Sequence, residues 1–238
     1  MTGNRFSGQL ALVTGASRGI GAATAEALAR EGAHVVLTGR ATKALEEVEE
    51  RVFQAGGNAT IAPVDLAEPD GIARLASALS QRWQALDIVV INAAVLPELT
   101  PVQDISQKAF NQALTINVLA TQALIANFDA MLRRSADPRL IGLTSSVATK
   151  PRAFWGAYGA SKAAFEVLLD CYAQESHKVS KLRVAIVDPG ATRTAMRARA
   201  YPGEDPASLK PPEAVADRLI SLLGEPFASG HRESINRS

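Results

Sequence analysis

The sequence has few of the side chains that build metal sites and disulfide frameworks. Its 238 residues include one cysteine, Cys171, and three scattered histidines. A single cysteine excludes an internal disulfide and fits a reducing compartment, and its place in an apolar helical run predicts a buried bystander rather than a nucleophile. With so few ligand-type side chains we expect no metal site.

An excess of charge of one sign and long apolar runs are lacking as well. The 25 basic residues nearly balance the 24 acidic ones, which gives no electrostatic case for nucleic acid. No segment approaches the ~18 uninterrupted apolar residues of a membrane span, and the polar stretch Met1–Gly8 lacks the apolar run of a secretory signal. We therefore expect a cytoplasmic protein without nucleic-acid or membrane partners.

Apolar runs of strand length alternate with amphipathic helical segments along the whole chain. This alternation predicts one α/β domain over 1–238, a doubly wound parallel sheet flanked by helices on both faces. The predicted strands are Leu10–Thr14, Ala33–Thr38, Asn58–Pro63, Leu86–Asn92, Arg139–Thr144 and Leu182–Val187. The predicted helices are Ala22–Arg30, Thr42–Gln54, Asp70–Trp83, Ser106–Arg134, Gly156–His177 and Glu213–Leu223. We expect a loop over Tyr201–Pro212, and a seventh strand within Ser229–Ser238 stays open.

A glycine-rich turn follows the first predicted strand. The residues Gly15-Ala16-Ser17-Arg18-Gly19-Ile20-Gly21 connect that strand to an alanine-rich helix, which Gly32 closes. In a strand-turn-helix context, glycines let the backbone approach a pyrophosphate, and the helix N-terminus presents free N–H groups to it. The G-x-x-x-G-x-G spacing differs from the commoner G-x-G-x-x-G, but its place predicts dinucleotide binding.

Tyr158 and Lys162 lie four residues apart in a predicted helix, so they share one face of it. A neighbouring ammonium favours the phenolate, and we therefore expect the pKa of Tyr158 to fall below its usual value of about 10. A tyrosine in this setting donates a proton to a carbonyl oxygen or accepts one from an alcohol.

These motifs together resemble the classical short-chain dehydrogenase/reductase family. The resemblance rests on Thr14-Gly15-x-x-x-Gly19-x-Gly21, Asn92-Ala93-Ala94, a serine before Tyr158, the Tyr158–Lys162 pair and Pro189-Gly190, in the family's order over about residues 8–195. It implies a Rossmann-type fold and hydride transfer between a nicotinamide cofactor and a carbonyl or secondary alcohol. The segments 152–158 and 194–198 also resemble a bacterial subgroup of poorly characterised oxidoreductases.

The resemblance implies a role for each of four residues. Tyr158 would be the general acid or base, and Lys162 would lower its pKa and bind the nicotinamide ribose. Asn117 would hold a water that relays protons, although a satisfied buried amide or a kink site is the alternative. Ser145 would orient the substrate oxygen. Ser146 remains the alternative to Ser145. The number of residues between the serine and Tyr158 favours Ser145, whereas the two residues after the serines, Val147 and Ala148, favour Ser146.

The resemblance also implies a cofactor site at the carboxyl ends of the strands. Asp65, after the third strand, would contact the adenine ring, or else be a turn-forming aspartate. Ala94 stands where the family usually has glycine. The implied contacts are Gly15, Ser17, Arg18, Gly19, Ile20, Gly21, Asp65, Leu66, Asn92, Ala93, Ala94, Tyr158, Lys162, Pro189, Gly190, Ala191 and Thr194.

Charge at the end of the second strand distinguishes the two nicotinamide cofactors. NAD enzymes hold the ribose 2′-hydroxyl with an acidic residue there, whereas this chain has Gly39 followed by Arg40. Arg18 lies in the glycine turn of the same predicted pocket. Because a 2′-phosphate prefers fork-shaped cations, we expect NADP(H) in preference to NAD(H), with Arg40 as a further contact.

Two other functions stay open, a 3-oxoacyl (fatty-acid-type) ketoreductase and a non-catalytic nucleotide-binding sensor. The first would need a basic docking patch, for which Arg197, Arg199 and Lys210 are few. The second would not need a complete Ser-Tyr-Lys set. The small-molecule substrate itself is not readable, although four apolar residues either line its pocket or simply pack. These are Phe154, Trp155, Met196 and Tyr201.

The two longest predicted helices, Ser106–Arg134 and Gly156–His177, are rich in apolar residues. The sheet covers only one stripe of each helix, so an uncovered outer stripe would be buried against another copy of the chain. We therefore expect a homo-oligomer, with a tetramer favoured over a dimer. The apolar residues in question are Leu119, Leu124, Phe128, Phe165, Leu168 and Leu169.

Overall fold

A parallel sheet of seven strands forms the centre of the computed structural model, which describes residues 4–235. The strands are β1 Leu10–Thr14, β2 His34–Gly39, β3 Asn58–Pro63, β4 Ile88–Ile91, β5 Arg139–Leu143, β6 Arg183–Asp188 and β7 His231–Ser234. They pair in the order β3-β2-β1-β4-β5-β6-β7. The predicted doubly wound sheet is confirmed, and the strand left open near the C-terminus is its β7 edge, while positions 236–238 of that tail lie outside the described residues.

Helices cover both faces of the sheet. They are α1 Gly19–Arg30, α2 Thr42–Gln54, α3 Gly71–Arg82, α4 Gln107–Leu114, α5 Ala120–Arg134, α6 Gly156–His177, α7 Ala195–Ala200 and α8 Pro212–Gly224. The predicted bounds of α2 and α6 are confirmed to the residue. The largest shift is in α1, which begins three residues earlier than predicted, inside the glycine turn.

Successive strand residues face opposite sides and build two apolar layers. Ala11 and Val13 of β1 pack with α1, α2 and α8 on one side of the sheet. Leu10 and Leu12 pack with α3, α5 and α6 on the other side. The crossover order changes direction at β1, so a crevice opens between the carboxyl ends of β1 and β4, where open sheets of this kind bind ligands.

The structure corrects two predicted elements. The segment predicted as one helix over Ser106–Arg134 is divided by a π-helical turn, Thr115–Leu119, which contains Asn117. The segment Tyr201–Pro212, predicted as a loop, includes the short 3₁₀ helix Pro206–Ser208, and the unpredicted helix α7 precedes it. Short helices of this kind carry too little periodicity to be recognised from sequence.

A glycine in β5 determines how closely α6 approaches the sheet. A Cβ added to Gly142 would lie 2.2 Å from Leu169 Cδ1 and 2.7 Å from Phe165 Cζ. Since such distances are far below van der Waals contact, only glycine lets α6 pack at this depth. The close approach brings Tyr158 and Lys162, one turn apart on α6, to the carboxyl end of β5.

Cys171 is exposed, so the prediction that it is buried was wrong. It lies on α6 between Leu169 and Tyr172, both of which are buried against the sheet. Because each helical residue is turned about 100° from the last, Cys171 falls on the opposite face. Within residues 4–235 we find no helix that is both long enough and apolar enough to cross a membrane.

Candidate active and cofactor site

The glycine turn after β1 is locked to the end of β4 by side-chain hydrogen bonds. Asn92 Nδ2 donates to the carbonyl oxygens of Thr14 at 2.9 Å and Gly15 at 3.2 Å. The backbone N–H of Asn92 and that of Ala93 both donate to Thr14 Oγ1 at 3.0 Å. Asn92 therefore fixes the conformation of the predicted cofactor loop, because its side-chain amide holds the turn.

The start of α1 packs directly on this turn. A Cβ added to Gly21 would lie 2.2 Å from the carbonyl oxygen of Gly15. The helix has no acidic residue in its first turn, and no side chain caps its N-terminus. Its first N–H groups and positive dipole end are therefore available to an anion, as a pyrophosphate site requires.

The end of β2 lies beside the turn and is cationic. A Cβ added to Gly39 would be 3.7 Å from Ser17 Oγ, so the two segments touch. Arg18 and Arg40 are exposed at this edge and have no carboxylate within salt-bridge distance among residues 4–235. Asp65 Oδ1 accepts a hydrogen bond from the N–H of Ala67 at 3.0 Å, the turn geometry named above as the alternative to an adenine contact.

Tyr158 and Lys162 lie together as predicted, but burial governs their protonation. Tyr158 is 7% exposed and Lys162 is 3% exposed. Burial, with a smaller contribution from Asp188, raises the pKa of Tyr158. Burial also lowers the pKa of Lys162 to about 8, although Glu166 acts in the opposite direction.

The prediction that Lys162 lowers the pKa of Tyr158 is therefore wrong for this structure. Lys162 Nζ donates to the carbonyl oxygen of Leu143 at 2.7 Å, and no hydrogen bond joins the ammonium to the phenol among the described residues. The loss of hydration of the phenolate raises its pKa, and the negative charge of Asp188 acts in the same direction.

Asn117 lies in the π-helical turn with its amide fully bonded. Its Oδ1 accepts from the N–H of Val95 at 2.9 Å, and its Nδ2 donates to the carbonyl oxygen of Val95 at 3.0 Å and to Ser161 Oγ at 2.9 Å. The residue joins the segment after β4 to α6, one residue before Lys162. Both alternatives named for it, a buried amide and a break in the helix, describe its geometry.

The two candidate serines differ in their hydrogen bonding. Ser146 Oγ accepts from Arg152 Nη2 at 3.4 Å. The hydroxyl of Ser145 has no side-chain partner among residues 4–235, and both serines line the same cleft as Tyr158. Both serines therefore keep an O–H donor for a substrate oxygen, and Ser145 is the one without a side-chain partner among these residues.

The segment after β6 lies over the glycine turn. Gly190 N–H donates to Asp188 Oδ1 at 2.9 Å, which shapes the turn. Thr194 Oγ1 accepts from the N–H of Arg197 at 3.2 Å and so caps α7. The Thr194 methyl would be 3.5 Å from a Cβ on Gly19, so two distant predicted segments meet there.

A cleft of about 750 Å³ opens beside these segments. The predicted residues that line it are Ile20, Ser145, Tyr158, Pro189, Gly190, Ala191 and Thr194. Its apolar wall consists of Leu96, Trp155, Met196 and Tyr201, whereas Phe154 is 55% exposed and does not line it. The other predicted cofactor residues lie outside this cleft, in the glycine turn and after β2, β3 and β4. They are Gly15, Ser17, Arg18, Gly19, Gly21, Arg40, Asp65, Leu66, Asn92, Ala93 and Ala94. Lys162 of α6 does not line the cleft either.

Glu166 also borders the cleft, and sequence reasoning missed it. Its carboxylate is 5% exposed and accepts from Thr144 Oγ1 at 2.6 Å and from Arg232 Nη1 at 2.6 Å. Tyr158, Lys162 and Glu166 recur every four residues on α6, a signal that could have found it. Arg232 lies on β7, and nothing in its local sequence points to the site.

Comparison with known proteins agrees with this geometry. The model of the short chain dehydrogenase family matches residues 9–205, which include the glycine turn, Tyr158, Lys162 and the segment after β6. The chain belongs to the short-chain dehydrogenase family. It is therefore an oxidoreductase with a Rossmann-type fold.

Three relatives of this short-chain dehydrogenase are similar to it over most of their own length. The uncharacterized oxidoreductase YciK of Escherichia coli K12 is 35% identical over 220 residues, 91% of this chain and 86% of YciK. A Pseudomonas syringae protein assigned to the short-chain dehydrogenases superposes with a TM-score of 0.94 at 36% identity, covering 98% of this chain and 96% of its own. A Shigella flexneri relative, solved in complex with NADP, has a TM-score of 0.93 at 34% identity, with 97% and 98% covered.

Proposed function

We propose that this short-chain dehydrogenase, acting as one NADP(H)-binding domain over residues 1–238, reduces a carbonyl compound to a secondary alcohol. The observation that carries the proposal is the placement of Tyr158. Its buried side chain lines the cleft beside the free hydroxyl of Ser145, with Lys162 one turn away. That arrangement supplies a proton donor and an oxygen-binding hydroxyl at one point.

Tyr158 is protonated at neutral pH, as the proposed proton donor must be. A phenol whose pKa lies above its usual value of about 10 is protonated at neutral pH, so it is ready to donate to a carbonyl oxygen. Ser145 would hold that oxygen, and Lys162 would bind the nicotinamide ribose and return a proton to Tyr158. Asn117 would keep α6 in register for this relay. When bound, the cofactor supplies the hydride.

NADPH is the cofactor that the charges fit best. Arg18 and Arg40 lie at the edge where a ribose 2′-phosphate would lie, and neither is neutralised by a carboxylate among residues 4–235. A fork-shaped guanidinium binds phosphate through charge-assisted hydrogen bonds. The NADP complex of the Shigella flexneri relative supports the same choice.

A panel of carbonyl compounds, followed by the loss of NADPH absorbance, tests the reaction. We expect Tyr158→Phe to lower turnover at least ~10²-fold, the scale of general acid catalysis, because the ring stays and only the proton is lost. NADPH affinity should change little, which a fluorescence titration checks. Wild-type turnover in Tyr158→Phe would refute the proposed acid. The absence of NADPH oxidation across a broad panel would instead favour a nucleotide-binding sensor.

The fatty-acid-type ketoreductase alternative is weaker than it was on sequence alone. Arg197 forms two 2.6 Å bonds with Glu204. Arg199 donates to the carbonyl oxygen of Leu96, and Lys210 Nζ donates to that of Ala191 at 3.2 Å. These cations are engaged within the chain, so they offer a poor docking patch for an acidic carrier.

We also propose a homo-oligomer, with a tetramer favoured over a dimer. Leu119 on the π-helical turn and Val167 on α6 are each 61% exposed, and they support an uncovered apolar stripe on adjacent helices. Leu124, Phe128, Phe165 and Leu169 are buried against the sheet and do not contribute. Light scattering at micromolar concentration should give about four times the 25.1 kDa chain mass. A stable species of single-chain mass would exclude the assembly. The cytoplasmic location stays a prediction.

A further inference from the structure

The outer part of the cleft carries positive charge that the protein does not neutralise. Four cationic side chains line the cleft: Lys150, Arg152, Arg197 and Arg232. Arg197 is paired with Glu204, and Arg232 is paired with Glu166 and Asp170. Lys150 and Arg152 have no carboxylate within salt-bridge distance among residues 4–235.

The carboxylates of the cleft have partners within the chain. Glu166 and Glu233 line it but are bound by Arg232 and Arg218. Asp188 lies beside Tyr158 at the end of β6 and accepts from Gly190 N–H. Glu166 and Glu233 are thus neutralised within the chain, whereas Lys150 and Arg152 are not paired with a carboxylate among residues 4–235, and an anionic group would be favoured beside Arg152.

A strained turn fixes the backbone at Arg152. The N–H of Trp155 donates to the carbonyl oxygen of Arg152 at 3.2 Å, which closes the turn before α6. Phe154 within it has φ 72°, a left-handed conformation that costs a bulky residue free energy. The turn directs both Arg152 and Trp155 at the cleft.

The guanidinium of Arg152 makes only two long hydrogen bonds through its side chain among the described residues. Nη2 is 3.4 Å from Ser146 Oγ and Nη1 is 3.5 Å from Tyr201 Oη, both at the outer limit of hydrogen bonding. A guanidinium carries five N–H donors in a planar fork, the geometry that matches a carboxylate. An aromatic wall adjoins the phenol, since the Trp155 ring centroid lies 5.9 Å from that of Tyr201 and 6.0 Å from that of Tyr158.

Ser146 connects this cation to the reacting group. Its Oγ lies 3.4 Å from Arg152 Nη2, and it directly follows Ser145, the proposed ligand of the carbonyl oxygen. Arg152, Ser145 and Tyr158 line the same cleft. One substrate that places its carbonyl at Ser145 can therefore present an anionic group to Arg152.

We propose that Arg152, assisted by Lys150, binds the carboxylate of an oxo acid, and that this site selects such acids over neutral ketones. The proposal rests on the proposed function, because Ser145 is taken as the ligand of the carbonyl oxygen. The carboxylate itself is unchanged in the reaction, and it serves to orient the ketone against Tyr158. The aromatic wall suits an aryl or alkyl group on the far side of the carbonyl.

A matched pair of probes tests the site by binding as well as by turnover. Phenylglyoxylate and its methyl ester differ only in the negative charge next to the ketone. Each is titrated by calorimetry into the wild-type protein, with and without NADP⁺, and each is assayed with NADPH. We expect the acid to bind at least about 10-fold more tightly than the ester, the scale of a charge-assisted hydrogen bond.

Arg152→Gln should remove that preference and leave affinity for the ester within about twofold, because only the charge-assisted bonds are lost. Arg152→Lys should restore part of the preference, since the charge returns without the planar fork. Arg30→Gln, which removes an exposed arginine at the far end of α1, is the matched control and should behave like wild type.

Equal binding of acid and ester by the wild-type protein, or a preference that survives in Arg152→Gln, would overturn the site. Failure of the acid to bind at millimolar concentration would overturn it too. Arg152-dependent binding of the acid without NADPH oxidation would support the site while counting against the proposed reduction, so the two failures are distinguishable.

Discussion

The two halves of the sheet build their parts of the site in different ways. On the β1–β3 side, the cofactor turn is shaped by the close approach of Gly21 to the Gly15 carbonyl oxygen and by the uncharged side chains of Thr14 and Asn92. On the β5–β7 side, charged side chains from distant segments decide the properties of the cleft. There Glu166 on α6 is bound by Arg232 on β7, 66 residues later.

The difference predicts how each half responds to substitutions of charged side chains. The cofactor turn needs small residues at fixed spacing and the hydrogen bonds of Thr14 and Asn92, but no charged pair. A network of buried charges instead depends on each partner, because removing one leaves the other buried and uncompensated. Substrate selection and pH response should therefore be sensitive to single charge changes near β5–β7, and cofactor affinity to added volume near β1.

The largest effect is expected from Gly21→Ala. The added methyl would overlap the Gly15 carbonyl oxygen at 2.2 Å, so the turn must open. Overpacking of this kind costs about 1–3 kcal/mol, and we expect NADPH to bind up to about 100-fold more weakly. Fluorescence titration of NADPH measures the loss. Gly203→Ala is the control, since nothing lies within 4 Å of a Cβ there. Near wild-type affinity in a folded Gly21→Ala protein would contradict the backbone account.

Arg40→Asp tests whether charge also matters in the cofactor half. The substitution replaces a cation with an anion at the end of β2, so it should weaken NADPH binding about 10-fold and improve NADH binding relative to wild type. Dissociation constants for both cofactors check this, with Arg30→Asp as the charge-matched control. If the unmodified protein bound NAD(H) more tightly than NADP(H), the assignment would be lost.

Glu166→Gln should produce a few-fold change that appears only in the pH profile. The pKa of Lys162 is lowered by burial to about 8, and the Glu166 carboxylate keeps it from falling further. Activity that needs the ammonium should therefore decline as pH rises through about 8. Without the negative charge, the pKa of Lys162 falls, and the decline should begin at lower pH. The pH dependence of kcat/KM for any reduced carbonyl measures this.

Other titrating groups around Lys162 should not produce the same loss of activity at high pH. Tyr158 stays protonated because its pKa is raised, and Arg232 stays charged. Asp188 faces Tyr158 from β6 and is unchanged by the substitution. Asp170→Asn is the matched control, since Asp170 also binds Arg232 but has no effect on Lys162. If kcat/KM declined at the same pH in Glu166→Gln as in the wild-type protein, or if Asp170→Asn moved the decline equally, the effect of Glu166 on Lys162 would be ruled out.

The sequence by itself determined most of the secondary structure and the position of the cofactor turn. Strands such as Leu10–Thr14 and helices such as Gly156–His177 follow from local periodicity and from glycine punctuation, which act over a few residues. The spacing of Tyr158 and Lys162 is likewise a property of one helix. Each of these features has its physical cause within a short stretch of chain.

Only the tertiary structure decided which groups are charged, paired or accessible. The raised pKa of Tyr158 comes from burial by several elements, and the exposure of Cys171 comes from the rotation of α6 against the sheet. Arg197 is neutralised by Glu204, whereas Arg152 has no such partner among the described residues. Desolvation and charge pairing depend on distances between segments that are far apart in sequence, so no local pattern contains them.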